Sequence, residues 1–297
     1  MIVSNSFLTL IDRIQPLQGE LNHADSHTAT IEARLEKCFQ IKKFGIIGSH
    51  SRGTAIRTFS DVDLFVVFSR DDARWGGRYI DSKTFVNRVK SCLAGRYLGT
   101  VMRRDLQALV VKFSAGNYPV DIVPAFFEGM EEAGGTKFPT YCIPDGSGAW
   151  LITSPAVHNK FISEANQKSG GKLYRTVQLL KFWSACRIPS ISINSFHLEL
   201  LLSSEDTCVG IKSYSSCVTD AFRLLHERQC RPLRDPTKLS GIVAAAKTEQ
   251  QRENLFRAVE LSYVRSMKAL NAELNGRVAN SKYFWNLVFN GRFPLNG

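Results

Sequence analysis

Two carboxylates, Asp61 and Asp63, stand at the head of an apolar run that continues to Phe68 in "SDVDLFVVF". Successive side chains of a strand alternate between faces, so Asp61 and Asp63 point one way while Val62, Leu64 and Val66 point toward a core. Paired carboxylates repel, and burial makes at least one hold its proton unless a cation compensates. A divalent cation is the usual compensation, and Mg²⁺ favours a few carboxylates with phosphate oxygens completing its shell. The residues just upstream suit the phosphate. Gly48 and Ser49 end an apolar strand, where glycine lets backbone approach an anion and the serine hydroxyl and nearby N–H groups donate to it. Gly53 and Thr54 fit the start of a short helix whose dipole favours the same anion. Arg52 and Arg57, beside this loop, default to solvated surface residues.

The elements that must hold these groups follow from periodicity. Residues 6–38 read as two helical pieces, with Ile11, Ile14 and Leu17 at helical spacing and "HTATIEARLEKCF" repeating it. From Phe44 the pattern turns to strands: "FGIIG", "DVDLFVVF", "LQALVVKF" and "YPVDIVPAF", the last two joined across "SAGN". Between the second and third, "DSKTFVNRVKSCLAG" reads as a helix. The Gly- and Pro-rich stretch from Glu131 to Trp150 predicts a long excursion off the sheet. Beyond it the chain is almost wholly helical, as in "KLYRTVQLLKFWSACR", "SFHLELLLSS", "CVTDAFRLLHER" and the long stretch from Thr248 to Leu274. A strand-rich part followed by a helical part predicts an α+β architecture of two lobes with a cleft between them.

Composition narrows the classes. With 297 residues the chain can bury a sizeable core, and its formal net charge of +11 predicts attraction to polyanions, whether nucleic acid or triphosphates. The first twenty residues lack the basic start and unbroken apolar core of an export signal, and no apolar run reaches the ~18 residues of a membrane span. Seven scattered cysteines without a Cys-x-x-Cys pair predict a reduced, cytoplasmic protein with buried thiols. Cys208, Cys217, His226 and Cys230 could in principle ligate zinc, although their gaps match no common zinc ribbon.

Gly-Ser, eleven intervening residues, then Asp-x-Asp and an apolar strand resembles the nucleotidyltransferase motif of the DNA polymerase β superfamily. That resemblance implies a third carboxylate on a later strand, for which Asp121 in "YPVDIVPAF" is the candidate. "GSHSRGTAIRTFSDVDLFVVF", "WLITSPAVHNKFI", "LLKFW" and "SFHLELL" further resemble, in order, the CD-NTases, bacterial relatives of cyclic GMP-AMP synthase that make cyclic oligonucleotides in anti-phage defence (CBASS). The resemblance implies a polymerase β-like sheet lobe and a helical lobe with the active site in the cleft between them. Residues 1–40 would be N-terminal helices bracing both lobes, 41–150 the catalytic lobe and 151–297 the helical lobe. Asp61, Asp63 and Asp121 would hold two Mg²⁺ ions, with Mn²⁺ able to substitute, and Gly48 and Ser49 would meet the phosphates. Lys181 and Ser195 map onto the family's donor-triphosphate contacts. Lys181 shares a helix face with Tyr174 and Gln178, opposite Leu173, Val177 and Leu180, whereas Ser195 reads equally well as a helix N-cap.

The expected partners are nucleoside triphosphates, ATP among them, with a downstream effector that binds the product. Neither a membrane nor an obligatory DNA activator is expected. The expected reaction joins triphosphates into a cyclic di- or oligonucleotide and releases pyrophosphate. The rival is an RNA 3′-end or linear 2′–5′ oligoadenylate nucleotidyltransferase. A non-catalytic nucleic-acid-binding module is disfavoured, because three acids would repel phosphate unless metal were bound.

Overall fold

Two helices, α1 (Val3–Ile14) and α2 (Gln18–Leu35), precede the sheet, with Leu10, Ile11 and Ile14 of α1 buried. There follow β1 (Ile41–Ile47), α3 (Gly48–Arg52), β2 (Val62–Phe68), α4 (Arg70–Ala73), the short pair β3 (Arg74–Trp75) and β4 (Arg78–Tyr79), and α5 (Ser82–Ala94). Five strands come next: β5 (Val101–Asp105), β6 (Ala108–Lys112), β7 (Val120–Ala133), β8 (Thr136–Pro144) and β9 (Trp150–Thr153). The helical half holds α6 (Pro155–Lys168), α7 (Lys172–Ala185), α8 (Ser195–Ser204), α9 (Tyr214–Glu227), the small pair β10 (Leu233–Arg234) and β11 (Ile242–Val243), α10 (Glu249–Leu274) and α11 (Val278–Val288). The computed structural model describes residues 2–57, 61–97, 100–113, 119–133 and 135–296, the side chains of 20–25 and 133 excepted. The turn expected at Ser114–Asn117 lies outside them.

The main sheet runs β1-β2-β7-β6-β5, with β8 on the far half of β7 and β9 on β8. β2 and β7 are parallel and every other pair in the sheet is antiparallel. The stretch from Glu131 to Trp150 therefore does not leave the sheet: β7 continues to Ala133 and β8 and β9 extend it. Its turn residues are real, since Gly135 adopts φ +73° between β7 and β8, but Tyr141, Cys142 and Ile143 are buried strand residues. Pro139 and Pro144, which read as breakers, sit inside a paired strand.

One face of the sheet packs on α2 and α5. Val62, Leu64, Val66 and Phe68 of β2 join Val120, Ile122 and Phe126 of β7 against Ile31, Leu35, Phe85, Val89 and Leu93. Aromatic edges lock this layer, with Phe126 set 5.0 Å from both Phe85 and Trp150. The turn after α2 is also joined to α5 by a disulfide between Cys38 and Cys92, 54 residues apart in sequence. This corrects the expectation of wholly reduced thiols: a pairing between residues so far apart in sequence leaves no local pattern to read. The other five cysteines are free.

The chain divides into two units. The helical unit comprises Met1–Gln15, Thr54–Phe59 and Lys160–Gly297, and the sheet unit comprises Pro16–Gly53 and Ser60–Asn159. The first helix thus belongs with the helical unit and the second with the sheet. A short piece from the middle of the motif loop also counts with the helices. The helical core centres on Trp183 and Phe222, 5.0 Å apart, and on Phe7, whose ring meets Trp285 at 4.9 Å and Phe293 at 5.0 Å. No helix among the described residues is long and apolar enough to cross a membrane.

Candidate active site

Asp63 lies directly opposite Asp121 in the parallel pairing of β2 and β7. The same register brings Ile47 beside Asp63 on β1, and Val110 and then Arg103 beyond Asp121 on β6 and β5. Residues in one such row share a face, with adjacent strands about 4.8 Å apart. Because Val62, Leu64, Val120 and Ile122 occupy the α2/α5 face, the two acids are on the other. Asp61 is exposed immediately before β2. The strand period thus accounts for the pair, and the parallel register for the third carboxylate.

Electrostatics tie the group together. Burial first, then the charges of Asp61, Asp63 and Asp105, push the Asp121 carboxyl from its ordinary range up to about 7, while Arg103 pulls it back. Arg103 Nη1 is itself paired with Asp105 at 3.3 Å. Asp121 Oδ1 is buried with no hydrogen-bond partner among the described residues, an arrangement that native interiors rarely keep without a ligand or other explanation. As they stand, no three His, Cys, Asp or Glu among the described residues are gathered closely enough to enclose an ion. The donor set still suits Mg²⁺, which takes few protein carboxylates and completes its shell from phosphate and water. An orphaned carboxylate oxygen and a raised carboxyl beside two further acids are what a cation would relieve.

The loop before β2 is built around Asp63. Gly48 adopts φ +69°, and a Cβ there would collide with the Asp63 carboxylate, so only glycine leaves room for it. Ser49 is buried beside it. The short helix begins at Gly48 and ends at Gly53, whose φ of +71° makes a left-handed C-cap. This corrects the reading of Gly53 and Thr54 as a helix start: Gly53 closes a helix, and Thr54 is buried coil. Arg52 is also not simply solvated, since its Nη1 donates to Asn159 Oδ1 at 3.0 Å. Arg57 is exposed, as expected.

Within the helical unit, Lys181 lies on α7 but does not form a solvated face. It is 7% exposed and its Nζ donates to the Thr54 carbonyl at 3.1 Å, and Gln178, also buried, donates to the Ala55 carbonyl at 2.9 Å. Periodicity identified the polar stripe but could not show that it meets backbone oxygens. Ser195 is the first residue of α8, and the cap is Asn194, whose side chain accepts from the backbone N–H groups of Phe196 and His197. The Ser195 hydroxyl is therefore not needed as a cap. Sequence reasoning missed Glu199, a fully buried carboxylate whose Oε1 accepts from Thr54 Oγ1. The available signal was one acid inside the apolar run "HLELLL".

The four residues weighed for zinc do not form one cluster among the described residues. Cys208 and Cys217 are in contact with each other, and Cys208 Sγ reaches Thr176 Oγ1 at 3.4 Å. His226 stacks on Phe256, and Cys230 Sγ donates to the Leu225 carbonyl. Two cavities of about 400 Å³, one lined by Thr30, Arg34, Lys37 and Arg96 and one beside the start of α10, include none of the clustered acids.

The mixed sheet, the Gly-Ser turn and the acids on neighbouring parallel strands match the polymerase β-like fold that the sequence resemblance implies. Residues 1–166 match the model of the Second Messenger Oligonucleotide or Dinucleotide Synthetase domain, and the chain belongs to that family. It is 30% identical over 171 residues to a probable cyclic nucleotide synthase of Bacillus cereus strain VD146, covering 49% of this chain and 50% of the relative. It is 25% identical over 197 residues to the cyclic AMP-AMP-AMP synthase of Escherichia coli strain MS 115-1, covering 65% and 59%. The chain thus spans between half and three-fifths of the curated relatives it matches. Among solved structures it is similar to E. coli MS115-1 CdnC with ATP, with a TM-score of 0.71 at 19% identity over 98% of each chain. It is also similar to Vibrio cholerae DncV in complex with a linear intermediate, with a TM-score of 0.62 at 14% identity over 85% and 69%. At these identities the structural likeness shows the fold.

Proposed function

We propose that this chain is a template-independent nucleotidyltransferase that joins nucleoside triphosphates into a cyclic di- or oligonucleotide and releases pyrophosphate. The observation that carries the reading is the Asp63–Asp121 row, with Gly48 shaped around Asp63 and one Asp121 oxygen without a hydrogen-bond partner among the described residues. Family membership supports it, as do two relatives named as cyclic nucleotide synthases. CdnC was solved with ATP and DncV with the linear intermediate pppA(3′,5′)pG, which fits two successive bond formations at one site.

Asp61, Asp63 and Asp121 are the residues that would hold two Mg²⁺ ions, or Mn²⁺ in their place. Bound there, the ions would activate the acceptor hydroxyl and neutralise the charge that develops toward pyrophosphate. Asp121, whose carboxyl is pushed up to about 7, is suited to face the attacking hydroxyl. Ser49 and the loop N–H groups donate to phosphate oxygens, and Lys181 and Ser195 are assigned to the donor triphosphate by the family resemblance. Little covalent work falls to the protein, because positioning and charge neutralisation carry such transfers. The product would act as a second messenger for anti-phage defence, made in the cytoplasm and read by an effector that binds the product.

The test is incubation with each set of labelled triphosphates and Mg²⁺ or Mn²⁺, then phosphatase treatment and mass spectrometry. A phosphatase-resistant species formed without added RNA is expected. Only linear 2′–5′ products, or extension of an added RNA, would overturn cyclisation, and absence of pyrophosphate release would overturn the transferase reading itself.

A further inference from the structure

The loop between Ser49 and Asp61 has its middle held by α1, α7 and α8. Residues 54–59 count with the helical unit, although residues before and after them belong to the sheet. Thr54 is fully buried and gripped at two points: its Oγ1 donates to Glu199 Oε1, and its carbonyl accepts from Lys181 Nζ at 3.1 Å. The next carbonyl, of Ala55, accepts from Gln178 Nε2 at 2.9 Å. Ile56, 1% exposed, sits in the helical core, and the Arg57 N–H donates to the Ile14 carbonyl at 2.7 Å. Four consecutive residues are thus fastened by side chains and backbone of three helices.

Glu199 is the unexpected member. It is fully buried in a helix whose neighbouring residues are mostly leucine, where an apolar side chain would be buried without penalty. A carboxyl group is tolerated in such a place when it is hydrogen-bonded or paired, and such a pair is weak evidence of added stability. Here it is hydrogen-bonded to Thr54.

We propose that Glu199 is a positioning residue. Acting through Thr54, and together with Lys181 and Gln178, it sets the course of the loop that carries Ser49 at one end and Asp61 at the other. The inference rests on the functional reading above for what those two ends do. Lys181 is then both a loop anchor and an assigned phosphate contact, so its removal alone cannot separate the two roles. Thr54 and Glu199 variants can.

The experiment compares wild type with Thr54→Ser, Thr54→Val and Glu199→Leu. The readouts are hydrogen exchange at the described amides 48–57 without nucleotide, and pyrophosphate release as kcat, KM and the Mg²⁺ concentration at half-saturation. Thr54→Val and Glu199→Leu should speed exchange in 48–57 at least tenfold with α7 and α8 unchanged. They should also lower kcat at least tenfold and raise the Mg²⁺ requirement severalfold. Thr54→Ser, which keeps the hydroxyl, should behave as wild type. Unchanged exchange in Thr54→Val, or faster exchange with unaltered kcat and Mg²⁺ dependence, would overturn the proposal. If Glu199→Leu does not fold, the Ser/Val pair at Thr54 decides alone, since valine matches threonine in shape. A wild-type protein that releases no pyrophosphate would sink the functional reading, and the exchange data would still decide whether the clamp holds the loop.

Discussion

Asp121 carries the sharpest consequences at the scale of single residues. Asparagine keeps its size and removes its charge, so Asp121→Asn or Asp63→Asn should lower pyrophosphate release by about 10²–10³-fold, the typical loss of one preorganised charge contact. In metal-free buffer either variant should melt at or above the wild-type temperature, because carboxylate repulsion is relieved; a clear drop would make the acid structural. The pH dependence has a definite sign. Asp121 titrates near 7 in the folded chain, above its ordinary 3.8, so the folded state holds this proton more tightly than the unfolded state. That contribution to stability is complete below the unfolded value and is lost as pH rises through about 7. Metal-free wild type should therefore melt lower at pH 8 than at pH 6, and Asp121→Asn should show a smaller difference. The proton also competes with metal, so the Mg²⁺ concentration at half-saturation should rise as pH falls below 7, approaching about tenfold per unit. Gly48→Ala tests the close approach to Asp63: with a methyl group where the carboxylate now lies, turnover should fall while the melting temperature drops only modestly. Wild-type turnover in Gly48→Ala would show that the contact is dispensable.

At the scale of elements, α8 separates two roles that its first residues could share. Asn194 caps the helix, so Asn194→Ala should cost about 1 kcal/mol of stability. Ser195→Ala should leave stability unchanged and raise KM for the triphosphate, because its hydroxyl is free of capping duty. A melting loss in Ser195→Ala equal to that of Asn194→Ala, with KM unaltered, would return Ser195 to a structural part. The parallel pairing of β2 and β7 matters in the same way: it brings Asp63 and Asp121, 58 positions apart, onto neighbouring strands in one register. A shift of one residue would turn one acid toward α2 and α5 and separate the pair.

For the whole molecule, the charge of +11 raises the question of an activating polyanion. Basic charge attracts nucleic acid without sequence preference, and that attraction falls steeply with salt. On the proposed reading the substrate is itself a triphosphate, which gives the same excess a sufficient reason. Pyrophosphate release is therefore expected without duplex DNA, and adding DNA at about 0.15 M salt should change the rate by less than severalfold. Activity that appears only with DNA would assign the basic surface to activation.

By itself the sequence pointed to the family and determined most of the local structure. The Gly48-Ser49 and Asp61-x-Asp63 spacing, the two N-terminal helices and the helical second half are all written in short-range patterns, because strand and helix periods are local properties of the chain. It also pointed to Asp121 through a family motif. Only the tertiary structure decided which acids face one another, since register between strands far apart in sequence depends on the packing of Val62, Leu64, Val120 and Ile122 against α2 and α5. The same holds for Lys181 and Gln178, whose partners are backbone carbonyls of Thr54 and Ala55, and for Cys38 and Cys92, joined from the turn after α2 to α5. Pro139 and Pro144 predict loop because local propensity disfavours proline in strands, whereas the buried side chains of Tyr141, Cys142 and Ile143 outweigh that preference. Backbone partners and long-range burial leave no periodic trace, and they are what turn a recognisable motif into a site.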